Sequence, residues 1–184
     1  MYKNFGAKPY LYPQPVMMLG TYDADGKPDL MNAAWGGIVD SNKLIVDLGS
    51  HKTTDNIAVT GAFTVGIADA AHTVACDYVG IVSAKNEPDK VAKAGFTTRK
   101  SEFVNAPVMN ELPLTLECKL IKIIDGDMYL GEIVNVVADE RILDADGNID
   151  VKKLDPIVFD MANCGYYALG ARVGTAFADG KKLK

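Results

Sequence analysis

The chain runs to 184 residues, 48% of them hydrophobic, which supplies a full core, fits a single domain over 1–184 and excludes a disordered chain. Nineteen basic against 24 acidic residues leave a net charge of −5, so there is no basic footprint for nucleic acid. Apolar runs such as Ile133–Ala138 are far too short to span a membrane, and the opening Met1-Tyr2-Lys3-Asn4-Phe5 lacks a signal peptide's apolar segment, which predicts a cytoplasmic protein with no membrane partner.

Val16 to Tyr22 reads as a strand. The turn Asp23-Ala24-Asp25-Gly26 follows, and a second strand starts near Pro28; glycine at the left-handed position marks a hairpin. Lys43 to Leu48 is a third strand, and Asp55 to Thr60 reads as one to two helical turns closed by Gly61. Ala62 to Ala68 is another strand. Ala70 to Val79 is a candidate helix with Ala71, Val74, Ala75 and Tyr78 on one face. Pro88 opens a small helix over Asp89–Ala94, ended by Gly95. Residues 96–111 form an irregular connection whose length predicts a functional or partner-contacting loop. Leu114–Ile124 and Met128–Ala138 are long strands joined at Asp125-Gly126-Asp127. Asp144-Ala145-Asp146-Gly147 is a further turn, Pro156 to Phe177 carries aromatic residues and glycines, and Gly180–Lys184 reads as a frayed tail. Six or more strands with few short helices predict a mainly β fold, a closed or partly open antiparallel barrel. No GxGxxG leads from a strand into a long helix, which disfavours a Rossmann domain.

Two loops flank the third strand. Asn32-Ala33-Ala34-Trp35-Gly36-Gly37 has the small residues and the single aromatic that let a flat ring lie close to backbone. Ser50-His51-Lys52-Thr53-Thr54 opens a short helix, where free N–H groups and the dipole favour an anion. One hydroxyl there could serve simply as a helix cap, but a cap does not explain Ser50, Lys52, Thr53 and Thr54 together. Together the loops suggest a phosphate-bearing, ring-containing cofactor at a barrel rim. Trp35 is equally readable as a core aromatic from its residue type alone.

The remaining reactive residues form no constellation. Cys76, Cys118 and Cys164 are scattered, without CxxC, and read as reduced thiols, Cys118 as core filler between Leu116 and Leu120. His51 and His72 are the only histidines and predict no metal site. Asp144–Asp150 superficially resembles a calcium loop, but its glycine stands fourth rather than sixth, so an Asx-rich turn is the better reading. Tyr166 and Tyr167 are candidates for either a cofactor mouth or the barrel core.

Taken in order, Pro15-Val16-Met17-Met18-Leu19-Gly20-Thr21, Asp25-Gly26-Lys27-Pro28, Asn32-Ala33-Ala34-Trp35, His51-Lys52-Thr53-Thr54 with Asn56-Ile57, Gly61-Ala62-Phe63-Thr64-Val65, Asn105-Ala106-Pro107-Val108, Leu114 with Leu116-Glu117-Cys118, and Tyr167 with Leu169-Gly170 resemble the flavin reductase-like family, the FMN-binding split barrels that include flavoredoxin. The likeness covers a core of about 15–174. It implies an antiparallel split β-barrel of Greek-key type and a homodimer with FMN at the subunit interface. Carried over, Ser50, His51, Lys52, Thr53 and Thr54 would bind the phosphate, and Asn32, Ala33, Ala34 and Trp35 would line the ribityl chain and ring. His51 stands beside Lys52 where similar proteins often carry arginine, and Ser83-Ala84-Lys85 is a candidate to close the cofactor from another side.

The resemblance implies an NAD(P)H:flavin reductase, with NADH or NADPH as co-substrate and no catalytic side chain, since hydride transfer between stacked rings needs alignment more than an acid or base. A redox acceptor protein is a possible partner. The alternatives are a flavoredoxin-like FMN electron carrier with little nicotinamide activity, and a non-redox barrel holding another phosphate ligand. A split barrel leaves strand edges and an apolar face needing cover, which also points to a dimer.

Overall fold

The computed structural model describes residues 1–184. In chain order the strands are β1 (Gln14–Pro15), β2 (Met17–Tyr22), β3 (Pro28–Ala33), β4 (Gly36–Asp40), β5 (Lys43–Asp47), β6 (Ala62–Ile67), β7 (Thr98–Lys100), β8 (Pro107–Met109), β9 (Leu114–Ile124), β10 (Met128–Ala138), β11 (Ile157–Asp160) and β12 (Gly165–Ala168). The helices are α1 (Lys52–Thr60), α2 (Thr73–Ile81), α3 (Lys90–Lys93) and α4 (Val151–Leu154). Seven strands form one antiparallel sheet in the order β3-β2-β6-β9-β10-β5-β4, beside a β1-β11-β12 sheet and a β7-β8 hairpin. The fold is mainly β, a curled antiparallel half-barrel with a few short helices.

One link forces the curl. β3 and β4 are opposite edges of the seven-stranded sheet, yet only Ala34 and Trp35 separate them in the chain. Three residue steps reach about 11 Å at most, so the two edges must come round to meet at that link. The barrel's split therefore lies at Asn32–Trp35.

β2 is buried on both faces because the sheet is sandwiched. Met17 and Leu19 point into the curl with Leu44, Val46, Leu48, Ile57, Phe63, Val65 and Tyr129. Val16 and Met18 point the other way, with Leu30, Cys76, Val79, Phe96, Met109 and Ile157. This follows from the period of two along a strand. Removing these two apolar sets from water supplies the main driving force for the fold.

The structure departs from the local sequence pattern at four places. α1 begins at Lys52, not Asp55: His51 is its N-cap, and the Thr54 hydroxyl reaches back to accept from the His51 N–H at 2.9 Å. Gly36–Asp40 is a strand, because pairing with β5 overrides the low strand preference of two glycines. Residues 96–111 contain the β7-β8 hairpin, and β8 is fully buried. On α2 the buried positions are Cys76 and Val79, whereas Val74 is 84% exposed. At the end of α1, Gly61 takes φ +65° and closes the helix onto the Ile57 carbonyl, as its sequence position predicts. Residues 179–183 form an exposed 3-10 turn.

Candidate functional site

The β3-β4 link forms one wall of a cavity of about 330 Å³. Asn32, Ala33, Ala34 and Trp35 line it together with Asp77, Gly80 and Ile81 of α2, which packs against Asn32. Leu48, Gly49 and His51, leading into α1, form one end; Phe159 and Tyr166 of β11 and β12 complete it. Trp35 is 47% exposed, so it is no core aromatic. Its carbonyl accepts from the Asp47 N–H at 2.8 Å, which pins the link to β5. Volume and mixed lining suit a planar organic ligand.

Asn32 is the hub of the inner wall. Its amide donates to the Cys76 carbonyl at 3.1 Å and to the Tyr166 hydroxyl at 3.4 Å. Tyr166 in turn donates to Asp77 Oδ1 at 2.9 Å. Burial first, then this bond to Asp77, pushes the Tyr166 phenol up to about 12. Tyr166 therefore stays a donor at neutral pH, while its neighbour Tyr167 is 57% exposed. Three elements distant in sequence thus converge on one polar chain at the wall.

The residues Ser50–Thr54 do not line one cavity. His51 borders the cavity just described, and Ser50 is exposed. Lys52 lines a second, polar cavity of about 400 Å³ with Asp23, Lys27, Asp29, Asp55 and Lys85. There Lys52 Nζ lies 3.7 Å from Asp23, Lys27 pairs with Asp89 at 3.0 Å, and Lys85 pairs with Asp55 at 2.9 Å. Backbone N–H groups of Lys27 and Asp25, then Lys52, hold the Asp23 carboxyl below its usual range. Residue Lys85, from the segment singled out as a possible closing element, sits on this second cavity, on the other side of the α1 N-terminus.

Thr53 and Thr54 are buried and their hydroxyl protons are committed. Thr53 Oγ1 donates to Asp29 Oδ2 at 2.7 Å, and Thr54 Oγ1 donates to the His51 carbonyl at 2.8 Å. One turn on, Asn56 donates to Thr21 Oγ1 at 3.0 Å. Part of the Lys-Thr-Thr-Asp-Asn run thus anchors α1 on β2 and β3. What remains for an anion is the free first-turn N–H groups, Ser50, His51 and Lys52.

Behind them lies a buried ion pair. Lys90 and Asp29 are 3% and 2% exposed, with Nζ and Oδ1 3.2 Å apart. Lys90 directs hydrogen bonds to the Val79 and Val82 carbonyls at the end of α2, at 3.1 and 3.0 Å, and leaves Asp29 Oδ1 without a well-aligned donor. This cluster ties α1, α2, α3 and β3 together and so holds the walls of both cavities.

Other reactive groups are spent elsewhere. Burial pushes Cys76 and Cys118 up to about 12, so they are packing residues with inert thiols; Cys164 is exposed. His72 Nδ1 lies 2.7 Å from Asp69. Asp144 Oδ1 accepts the Asp146 and Asn148 N–H groups at 2.9 Å each, the geometry of an Asx turn. The sequence reading missed Asp77, Gly80, Ile81 and Phe159. The one available signal was Asp77, a single acid in the otherwise apolar run Val74–Ile81.

This frame defines a flavin-reductase-type split barrel. Residues 10–158 match the flavin reductase like domain family, and the chain belongs to it. Over 98% of this chain and 100% of the other it is 40% identical to flavoredoxin of Desulfovibrio vulgaris (Miyazaki F), with a TM-score of 0.94. Flavoredoxin from Methanosarcina acetivorans is 29% identical over 100% of both chains, with a TM-score of 0.88. An uncharacterized protein of Aquifex aeolicus is 24% identical over 146 residues, which are 78% of this chain and 63% of that protein. No helix is long and apolar enough to cross a membrane.

Proposed function

We propose that this protein is an FMN-binding oxidoreductase that takes hydride from NADH or NADPH onto FMN. The observation that carries the reading is the cavity at the split. It sets the small-residue wall Asn32–Trp35 beside α2, which packs on Asn32, and ends at the N-terminus of α1. That is the site a flat ring with a terminal phosphate needs. The first-turn N–H groups of α1, with Ser50 and His51, would hold the phosphate, and Lys52 would join them by leaving its long 3.7 Å contact with Asp23 on the second cavity and swinging round the α1 N-terminus. Asn32, Ala33, Ala34 and Trp35 would border the ribityl chain and ring. Thr53 and Thr54 serve through their backbone N–H groups and by fixing the helix.

Bound FMN supplies two-electron hydride chemistry. The chain orients it, and the open cavity mouth beside Trp35 and Ile81 admits a second planar molecule. Trp35 and Ile81, 47% and 75% exposed, are the surface on which a second copy would close the site, so we place FMN at a homodimer interface. Three unpaired thiols suit a reducing, cytoplasmic setting.

The 40% likeness to a flavoredoxin favours one second reading, an FMN electron carrier that serves a redox acceptor protein. An absorbance spectrum of the purified protein, before and after NADH or NADPH without oxygen, separates them. Flavin bands that bleach with either nucleotide support the reductase. Bands that persist but bleach with dithionite support the carrier. No flavin bands after incubation with FMN overturn both.

A further inference from the structure

We infer that Asp77 is a redox-tuning carboxylate of this cavity, lowering the reduction potential of the bound flavin, and that Tyr166 moderates its charge. The inference rests on the FMN reading above. Asp77 lines the cavity from α2. Its Oδ1 accepts from Tyr166 at 2.9 Å, no protein donor reaches its Oδ2, and no cation pairs with it. The other charged or titratable groups bordering the cavity are Asp47 on β5, His51 at the cap of α1 and Tyr166 on β12; no lysine or arginine borders it. Because the Asn32 amide points at the Tyr166 oxygen, the phenol's one proton is directed to Asp77. Reduction adds two electrons and one proton to FMN and leaves the ring with one more negative charge. A carboxylate held in the cavity wall without a cation partner opposes that charge and favours the oxidised cofactor. Donation from Tyr166 disperses the carboxylate's charge and weakens the opposition.

The test uses full-length, FMN-loaded protein, with potentials measured against reference dyes and affinity for oxidised FMN measured by fluorescence quenching. Asp77→Asn is expected to raise the affinity for reduced relative to oxidised FMN about tenfold, which for a two-electron couple is a rise of about 30 mV. Tyr166→Phe is expected to move the potential the other way by a smaller amount. A purely structural role would weaken oxidised and reduced binding alike and leave the potential unmoved. Unchanged or same-direction shifts in the two variants overturn the inference while the FMN reading stands. Should Asp77→Asn fail to hold FMN, Tyr166→Phe decides alone: a fall in potential supports the inference, and no fall overturns it. Failure of the wild type to take up FMN overturns the cofactor reading and this inference with it.

Discussion

Gly80 of α2 and Asn32 of β3 touch so closely that a Cβ added to Gly80 would stand 2.9 Å from the Asn32 Cβ. This contact lets the helix lie against the strand whose amide side chain organises the cavity wall. Gly80→Ala gains about 1 kcal/mol of helix propensity but incurs about 1–3 kcal/mol of overpacking. The expected net is a loss of about 1 kcal/mol, a fall in Tm of about 2–4 °C for a chain of this size. Calorimetry checks the stability. FMN binding should weaken with it, because the push falls on the Asn32 wall.

The Thr53–Asp29–Lys90 cluster is a stability element beneath the site. Thr53→Val removes the hydroxyl and leaves Asp29 Oδ2 buried without a donor, which should cost about 1–3 kcal/mol. Thr53→Ser should recover most of it. Lys90→Met leaves the Asp29 charge unpaired and should cost about 3–5 kcal/mol. Urea unfolding of the three variants gives the order; a Thr53→Val protein as stable as wild type would remove the cluster's claimed role.

Lys52 contributes little to the fold and, on the function proposed above, serves the phosphate. Its pair with Asp23 is long and partly exposed, so Lys52→Ala should change stability by about 0–1 kcal/mol. Losing a charged donor to phosphate should weaken FMN by about tenfold or more. Full FMN occupancy at micromolar cofactor in this variant would sink the phosphate assignment.

Tyr166 sets an alkaline limit. Its folded pKa stands at about 12 against an ordinary 10.0, so its contribution to stability is complete below pH 10 and is lost as pH rises from 10 towards 12. In that window the unfolded state has released a proton that the native state keeps, and stability falls with pH. Wild type minus Tyr166→Phe phenolate absorbance should show one late-titrating tyrosine. A difference titration near pH 10 would contradict the burial and the Asp77 bond together.

Much of the secondary structure was readable because its causes are local. The Gly26 and Gly126 turns, the Gly61 cap, the apolar run of β2 and the alternating apolar residues of β9 depend on neighbours a few residues away. The family resemblance was legible for the same reason, as an ordered set of short motifs. Trp35 and the Lys-Thr-Thr run could be marked as unusual, but their partners could not.

Those partners are what tertiary structure decided. Asn32 meets Cys76 and Tyr166, 44 and 134 residues away, and no local pattern carries such a pairing. The burial of Thr53 against Asp29 turned a hydroxyl that looked free for an anion into an anchor for its helix. Edge pairing made a strand of Gly36–Asp40. Sequence by itself determined which segments could be strands, turns and caps, because those are short-range steric and hydrogen-bonding preferences. The curl of the sheet determined which side chains share a cavity and which are already satisfied, because burial and hydrogen-bond partnership belong to pairs of residues brought together only by folding.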